Sequence, residues 1–461
     1  MNRLLRLTLA NLPTVTVLLL TVCAPAQTRL YVDVRGPAAG DGSSWAKAFP
    51  NLTAALAKAS SGAEVWVAEG RYLGGFDVPA GVTVVGGFLA GQTRRTQRRV
   101  DQHAVLLDGT DTQRVLVLRD GAVIDGVVVV AGRSAAPGGG GALILGTTGT
   151  LRNCTFLNNN IVAGRGSAVY AGNNGTSRAT PILENCVFGG NGFATKLGHV
   201  IDFEAAGGSV RNILVANNNS NGLHLQNGSS TKIYNSVFAF NTGRGICHID
   251  TATQPIVENC DFWQNTVGLY HFKGVDFQQI AQVNALPYAK NNLSADPRYN
   301  DPSKYDYTLA STSPLIDAGL ELPGALALDR AGRPRILDGL RTGTARIDIG
   351  PDEFTNFEIA NAVLPIRGMN LFLNSIGRVG TPVIMAVGLD VSAAPVFLGG
   401  LGSLSIDLAR PHVVVGWPSV GSSAVVAIPR NLPADTAVVF QGVAGTSTWG
   451  NLSNVLDLRI F

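Results

Sequence analysis

The stretches Asn153-Cys-Thr-Phe156, Asn185-Cys-Val-Phe188, Asn212-Ile-Leu-Val215, Asn235-Ser-Val-Phe238 and Asn259-Cys-Asp-Phe262 repeat one pattern, with steps of 32, 27, 23 and 24 residues between their asparagines. A period in the twenties with one short strand per copy is the mark of a solenoid. Each coil of such a fold buries its apolar side only by stacking on the next. The second and fourth residues of each copy alternate with polar ones and share one strand face. Phe156, Phe188, Val215, Phe238 and Phe262 are therefore expected to form an internal stack, with Cys154, Cys186, Ile213, Ser236 and Cys260 in a second stack beside it. Coils about 4.8 Å apart would bring Cys154 and Cys186 near bonding range. Ile213 and Ser236 in the same row point instead to small core residues. Six residues after each leading Asn stands another: Asn159, Asn191, Asn218, Asn241 and Asn265. Asn tolerates the left-handed conformation of a sharp bend, and its amide can bond the same amide one coil away. Strand length, bend and period together predict an all-β fold, a right-handed parallel β-helix.

Composition agrees. Of 461 residues 55 are glycine and only 15% are charged, which disfavours coiled coils and helical bundles. With 46% hydrophobic residues the chain can bury a core, and a net charge of +3 gives no reason to expect nucleic acid or an anionic membrane as partner. Arg3 and Arg6, the apolar stretch Thr14 to Val22 and Ala24-Pro25-Ala26 read as an export signal over residues 1–26, cleaved after Ala26, so a secreted or cell-surface location is expected. No later apolar run reaches the length of a transmembrane helix. Four cysteines remain, too few for a disulfide framework in a chain this long.

The solenoid, residues 27–300, needs a cap at each end. Pro50 to Ala59 reads as a short amphipathic helix with Leu52, Ala55, Leu56 and Ala59 on one side. Tyr31-Val-Asp33, Asp41-Gly-Ser-Ser-Trp-Ala46, Gly62-Ala-Glu-Val-Trp-Val-Ala-Glu-Gly-Arg-Tyr72 and Gly86-Gly-Phe88 resemble secreted bacterial β-helix proteins of the pectate-lyase-like superfamily. At the other end Ala295-Asp-Pro297, Tyr307-Thr-Leu309, Ser313 to Gly319, Asp329 to Arg335 and Asp348 to Phe354 resemble the terminal module called choice-of-anchor Q. That resemblance implies a closing module over 301–355 with Asp317, Asp329, Arg335, Asp348 and Glu353 at motif positions, and their paired charges read as groups that tie loops together. Bound calcium is the less favoured role for them. Residues 356–461 carry short apolar runs between Pro and Gly, the pattern of an antiparallel β-sandwich. An adhesion, sorting or carbohydrate-binding module would all have this texture.

One constellation rises above the scaffold. The strands Val200 to Glu204, Leu223 to Gln226, Cys247 to Asp250 and Tyr270 to Lys273 align by the asparagine register. Alternation puts Ile201, Leu223, Cys247 and Tyr270 inside with Phe203, Leu225, Ile249 and Phe272. Asp202, His224, His248 and His271 then share an outward row, Glu204, Gln226, Asp250 and Lys273 lie beside it, and Arg244 and His199 stand near the entering turns. Elimination from a uronic-acid polysaccharide would use Lys273, Arg244 or a histidine as base, with Asp202, Glu204 and Asp250 holding calcium. Hydrolysis would need two carboxylates, for which Asp202 and Asp250 are the pair at hand. Zinc on the histidine row is a further option, without a tight spacing motif behind it. Outward strand positions are where polar residues ordinarily belong, so binding is favoured over catalysis. The expected function is that of an extracellular protein meeting polysaccharide along the coil, with a lyase or hydrolase on the same face as alternative and a passive spacer as third reading. The basic run Arg94 to Arg99 reads as a solvated loop.

Overall fold

The computed structural model describes residues 28–192, 199–340 and 344–355, together with strands between Phe357 and Arg459. The expected export signal lies outside the described residues. The chain winds as a right-handed parallel β-helix with three sheets. The first has ten strands, from Arg29–Val32 to Ala289–Lys290. The second has eight, from Gly70–Leu73 to Asp261–Trp263. The third has nine, from Phe76–Val78 to Val275–Phe277. Neighbouring strands within each sheet are parallel, except that Val275–Phe277 folds back antiparallel on Gly268–Phe272.

The internal stack stands as the repeats predict. Phe156, Phe188, Val215, Phe238 and Phe262 are consecutive register partners and fully buried. The rings of Phe156 and Phe188 stack with centroids 4.9 Å apart, those of Phe238 and Phe262 at 5.5 Å. Burying each such ring stabilises by about 1.5–3 kcal/mol. Cys154, Cys186 and Cys260 fill the smaller row beside them as free thiols, and Cys247 is also free and buried.

The two asparagine rows divide the work at the corners. Left-handed backbone belongs to the leading row, Asn153, Asn185, Asn212, Asn235 and Asn259, with φ between 49° and 54°. The second row, expected to hold that conformation itself, instead supplies only the ladder. Asn159 Nδ2 donates to Asn191 Oδ1 at 3.1 Å, Asn191 to Asn218 at 3.0 Å, Asn218 to Asn241 and Asn241 to Asn265 at 2.9 Å. Each ladder amide also caps carbonyls of the strands beside it, as Asn218 Nδ2 does for Phe188 O and Ala216 O.

The helix α1, Leu52–Lys58, closes the N-terminal end with Leu52, Ala55 and Leu56 buried in the core, and its N-cap Asn51 accepts from Ala54 N at 2.8 Å. At the opposite end the cap is not the 301–355 segment. A short helix, α2 (Ile280–Asn284), covers the last coil and places Val283 in the core. The described residues of 295–340 and 344–355 run instead along the outer face of the second sheet. There Leu315, Ile316 and Ile349 pack on Val187, Leu214 and Val237. The reason lies in the third position of the repeat, which is apolar in the three middle copies and leaves that face unable to meet water. The leading asparagines stitch the segment down: Asn185 Nδ2 donates to Leu328 O, Asn235 Nδ2 to Leu320 O and Asn259 Nδ2 to Ala318 O.

Within the segment the expected tying residues do tie loops. Arg335 donates to Glu353 Oε1 at 2.7 Å and to Asn185 Oδ1 on the coil. Asp348 accepts from Asp317 N and Phe354 N, Asp317 from Gly339 N and Leu340 N, and Asp329 from Arg333 N and Glu353 N. Arg95 and Arg98, expected in a solvated loop, clamp the buried Asp125 at 2.6 and 2.7 Å, and Arg95 also holds Glu64. The ten strands from Phe357–Asn361 to Leu456–Arg459 pair antiparallel, and the packing of their faces lies outside the described residues.

Replacing Asn218 by Ala removes a rung of the ladder and orphans buried groups on both neighbouring coils, each worth about 1–3 kcal/mol. Denaturant unfolding of this variant should show a loss of about 3 kcal/mol or more. Asp261 lies buried beneath the side segment, with one carboxylate oxygen accepting from Ala295 N and the other without a partner. Burial pushes its carboxyl up from 3.8 to about 7, against the pull of that hydrogen bond. The folded state therefore binds the extra proton between those two values, and its contribution to stability is lost as pH rises through about 7. Thermal melting across pH 5 to 8 should show this slope in the native chain and a flatter one in Asp261→Asn.

Candidate functional site

The third sheet carries the candidate side chains on the strands Val169–Gly172, His199–Glu204, Asn221–Gln226, Arg244–His248 and Gly268–Phe272. Register pairs Tyr170 with Asp202, Asp202 with His224, His224 with Cys247 and Cys247 with His271. The outward column is thus Tyr170, Asp202, His224, Cys247 and His271. His248 is not in it. It falls in the inward row with Phe203, Leu225 and Phe272, and Ile246 takes the inward place expected for Cys247. The offset from the ladder asparagine decides this. Leu223, Ile246 and Tyr270 each lie five residues after Asn218, Asn241 and Asn265, whereas Cys247 lies six after.

His248 is fully buried and serves structure. Its Nε2 faces the carbonyls of Asp250 and Thr253 at 2.8 and 3.0 Å and must donate to them. Nδ1 then accepts from the hydroxyls of Tyr270 and Tyr288, both at 3.1 Å. Burial drives its pKa down, opposed by the two carbonyls. Ile249, expected inside, is 43% exposed. Asp250 stands past the strand, where it accepts from Asn227 N, Thr253 N and Thr253 Oγ1. It is a loop clasp, and the carboxylate pair Asp202 and Asp250 that hydrolysis would use is not assembled. Lys273 occupies a left-handed turn with its ammonium 5.0 Å from the Phe272 ring. Among the described residues it forms no ion pair with Asp202, Glu204 or Asp276.

Three residues do converge. Asp202 is fully buried. Its Oδ2 lies 2.8 Å from His224 Nδ1, and its Oδ1 accepts from Gln226 Nε2 at 3.1 Å. His199 stacks on His224 with ring centroids 3.8 Å apart. Strict alternation would put His199 and Asp202 on opposite faces. Val200 and Ile201 between them are both buried in the core, and this break in alternation brings the flanking pair to one side. Asn221 Oδ1 accepts from Arg244 N at 2.8 Å, which turns its Nδ2 toward His199 Nδ1 at 3.1 Å. That nitrogen therefore accepts, and the ring is neutral. Its pKa lies well below the ordinary value, lowered by burial and then by His224, Arg165 and Arg244.

Two ion-pair networks flank this group. Glu204 accepts from Tyr170 Oη at 2.6 Å and Asn227 Nδ2 at 2.8 Å and pairs with Arg165 at 3.0 Å. Burial opposes its charge, but these three donors outweigh it and hold the carboxyl below its usual value. Asp276, on the folded-back strand, joins Arg244 at 2.5 and 2.9 Å to His271 Nδ1 at 2.6 Å. The Arg244 hydrogen bond is the main reason its carboxyl stays low. Burial lifts the Cys247 thiol to about 11, so it is no nucleophile at neutral pH. Arg165, Tyr170, Asn221 and Asp276 were not among the sequence candidates. Asp276 follows Gly274 at a turn, which was the available sign of a strand folding back onto His271. A separate cleft of about 510 Å³ in the side segment, between Glu321, Leu322 and Leu326 on one side and Pro334, Ile336 and Ile347 on the other, includes none of these residues.

Residues 134–279 match the family model described as right handed beta helix region, which spans the candidate column. No curated protein matches the chain. Among solved structures it is similar to the crystal structure of pectate lyase Pel9A, at 15% identity and a TM-score of 0.43, covering 72% of this chain and 97% of that one. A rhamnogalacturonan lyase is similar at 11% identity and a TM-score of 0.32, with 59% and 90% covered.

Truncating Asp202 to Ala should orphan His224 Nδ1–H and the Gln226 amide, at about 1–3 kcal/mol per donor. Lys273→Ala should stay within about 0.5 kcal/mol of the native chain. Paired denaturant titrations of the two variants check the contrast.

Proposed function

We propose that this chain is an exported β-helix protein that binds polysaccharide along the outer face of its third sheet. The observation that carries this reading is the state of the acids in and beside the column. Asp202, Glu204 and Asp276 each already hold two or more donors. What the face offers a ligand is then imidazole and amide groups beside the guanidinium pairs of Arg165 and Arg244, whose acids a uronate carboxylate would have to displace or share, a set suited to hydroxyls and to the carboxylates of uronic acids. The extracellular setting follows from the export signal read at residues 1–26.

A second reading has one specific observation in its favour. Asp202 fixes His224 through Nδ1 and leaves Nε2 as the ring's other nitrogen, the arrangement of an oriented general base. With Arg244 or Arg165 neutralising a uronate carboxylate, the same face would carry out β-elimination. Histidine would take the proton next to the carboxylate as the glycosidic oxygen leaves.

Affinity electrophoresis of the purified chain through neutral and uronic-acid polysaccharides tests both readings. Retardation by a uronic-acid polymer, weakened about tenfold (about 1.4 kcal/mol) in Arg244→Ala, is the expected result. No retardation by any polymer would defeat the binding reading. Growth of unsaturated-product absorbance, abolished in His224→Ala, would replace binding by elimination.

A further inference from the structure

We propose that His199, Asp202 and His224 form a binding site for one divalent first-row transition metal ion of the zinc class. Two imidazoles and a carboxylate offer donor atoms that all lie within 4.8 Å of one another. Ligands around a tetrahedral ion with bonds of about 2.1 Å stand about 3.4 Å apart, so small side-chain rotations close the set. Two nitrogens and one oxygen suit zinc and its first-row neighbours, and not calcium, which takes six or more oxygens. Three protein ligands leave the remaining positions to water or to a ligand on the sheet face.

Charge is the second, independent argument. Two other buried acids on the outer faces of the coil are matched by permanent cations, Asp125 by Arg95, Arg98 and Arg152 and Glu184 by Arg211, whereas Asp261 beneath the side segment has none among the described residues. Asp202, the acid of the column, is fully buried, yet its hydrogen-bond partners are a neutral amide and an imidazole. Arg165 and Arg244 are committed to Glu204 and Asp276. A carboxylate removed from water needs a compensating cation, and a metal held between Asp202 and two neutral rings provides one. The outer shell is in place in part. Gln226 engages only Oδ1 of Asp202, and coordination through His199 Nε2 requires the Asn221 amide to turn so that its oxygen accepts from Nδ1–H. Metal entry replaces the His224 to Asp202 hydrogen bond and requires both rings to be neutral, so affinity falls with acidification.

The test uses the full chain, stripped with a chelator and titrated with Zn2+ by calorimetry and with Co2+ by visible absorption. Saturation at one ion per chain is expected, with Ca2+ failing to compete. His199→Ala and His224→Ala should each weaken Zn2+ by about 100-fold or more, and Gln226→Ala by about 10–100-fold. His103→Gln, at an imidazole paired with Glu69, should leave affinity unchanged. His199→Ala leaves the Asp202–His224 pair standing, so circular dichroism and melting of that variant separate lost ligation from lost fold. Absence of saturable Zn2+ binding overturns the proposal. So does an affinity or Co2+ spectrum that is the same in folded His199→Ala.

Discussion

The constraint on which this molecule depends is that no coil can satisfy its own corner. The turns between the second and third sheets along the repeats leave backbone groups that the next coil reaches, and the amides of Asn159, Asn191, Asn218, Asn241 and Asn265 meet that need in series. A buried polar group left unmatched costs more than a matched one contributes, so the ladder acts chiefly by forbidding slippage. Register, once fixed there, fixes everything that hangs on the sheets. The stacked Phe rings and the outward column both inherit their spacing from it.

Period, internal stack, ladder and N-terminal helix were legible because each repeats a residue type at a position where burial tolerates few others. Phe156, Phe188, Phe238 and Phe262 are large, identical and fully buried. The column was legible only in part, because the asparagine register was carried only roughly into the strands of the third sheet. His248 resembles His224 and His271 in type but lies one residue out of phase, and a single slip moves a side chain to the opposite face. Counting from Asn241 restores it. Asp276 and Arg165 escaped for a different reason. They reach the site from a folded-back strand and a turn, through pairings that no periodicity encodes.

The side segment shows the same difficulty on a larger scale. Its motifs were recognisable, but their order along the chain suggested a cap, whereas their partners lie up to 150 residues back. The clue was local all the same. Val187, Leu214 and Val237 occupy outward positions on a sheet that would otherwise face water, and apolar residues there demand a cover. The leading asparagines thus have two duties, the left-handed turn and the clip for the segment's carbonyls.

The three outer faces are finished in three different ways, and the difference argues for where this protein meets its surroundings. The first sheet closes on itself electrically: Asp125, Arg152, Glu184 and Arg211 succeed one another as register partners, and Glu258 pairs with Lys290 further on. The second is sealed by apolar contact with residues 295–355. The third has neither an unbroken charge ladder nor, among the described residues, a covering segment over Tyr170, Asp202 and His224. A solenoid built only to hold a distance would gain from finishing all three faces alike, since unmatched polarity costs stability on any of them. Retaining a buried aspartate whose partners are an amide and an imidazole is a local cost that the coil's own packing does not require, and it falls on the face that no described segment seals.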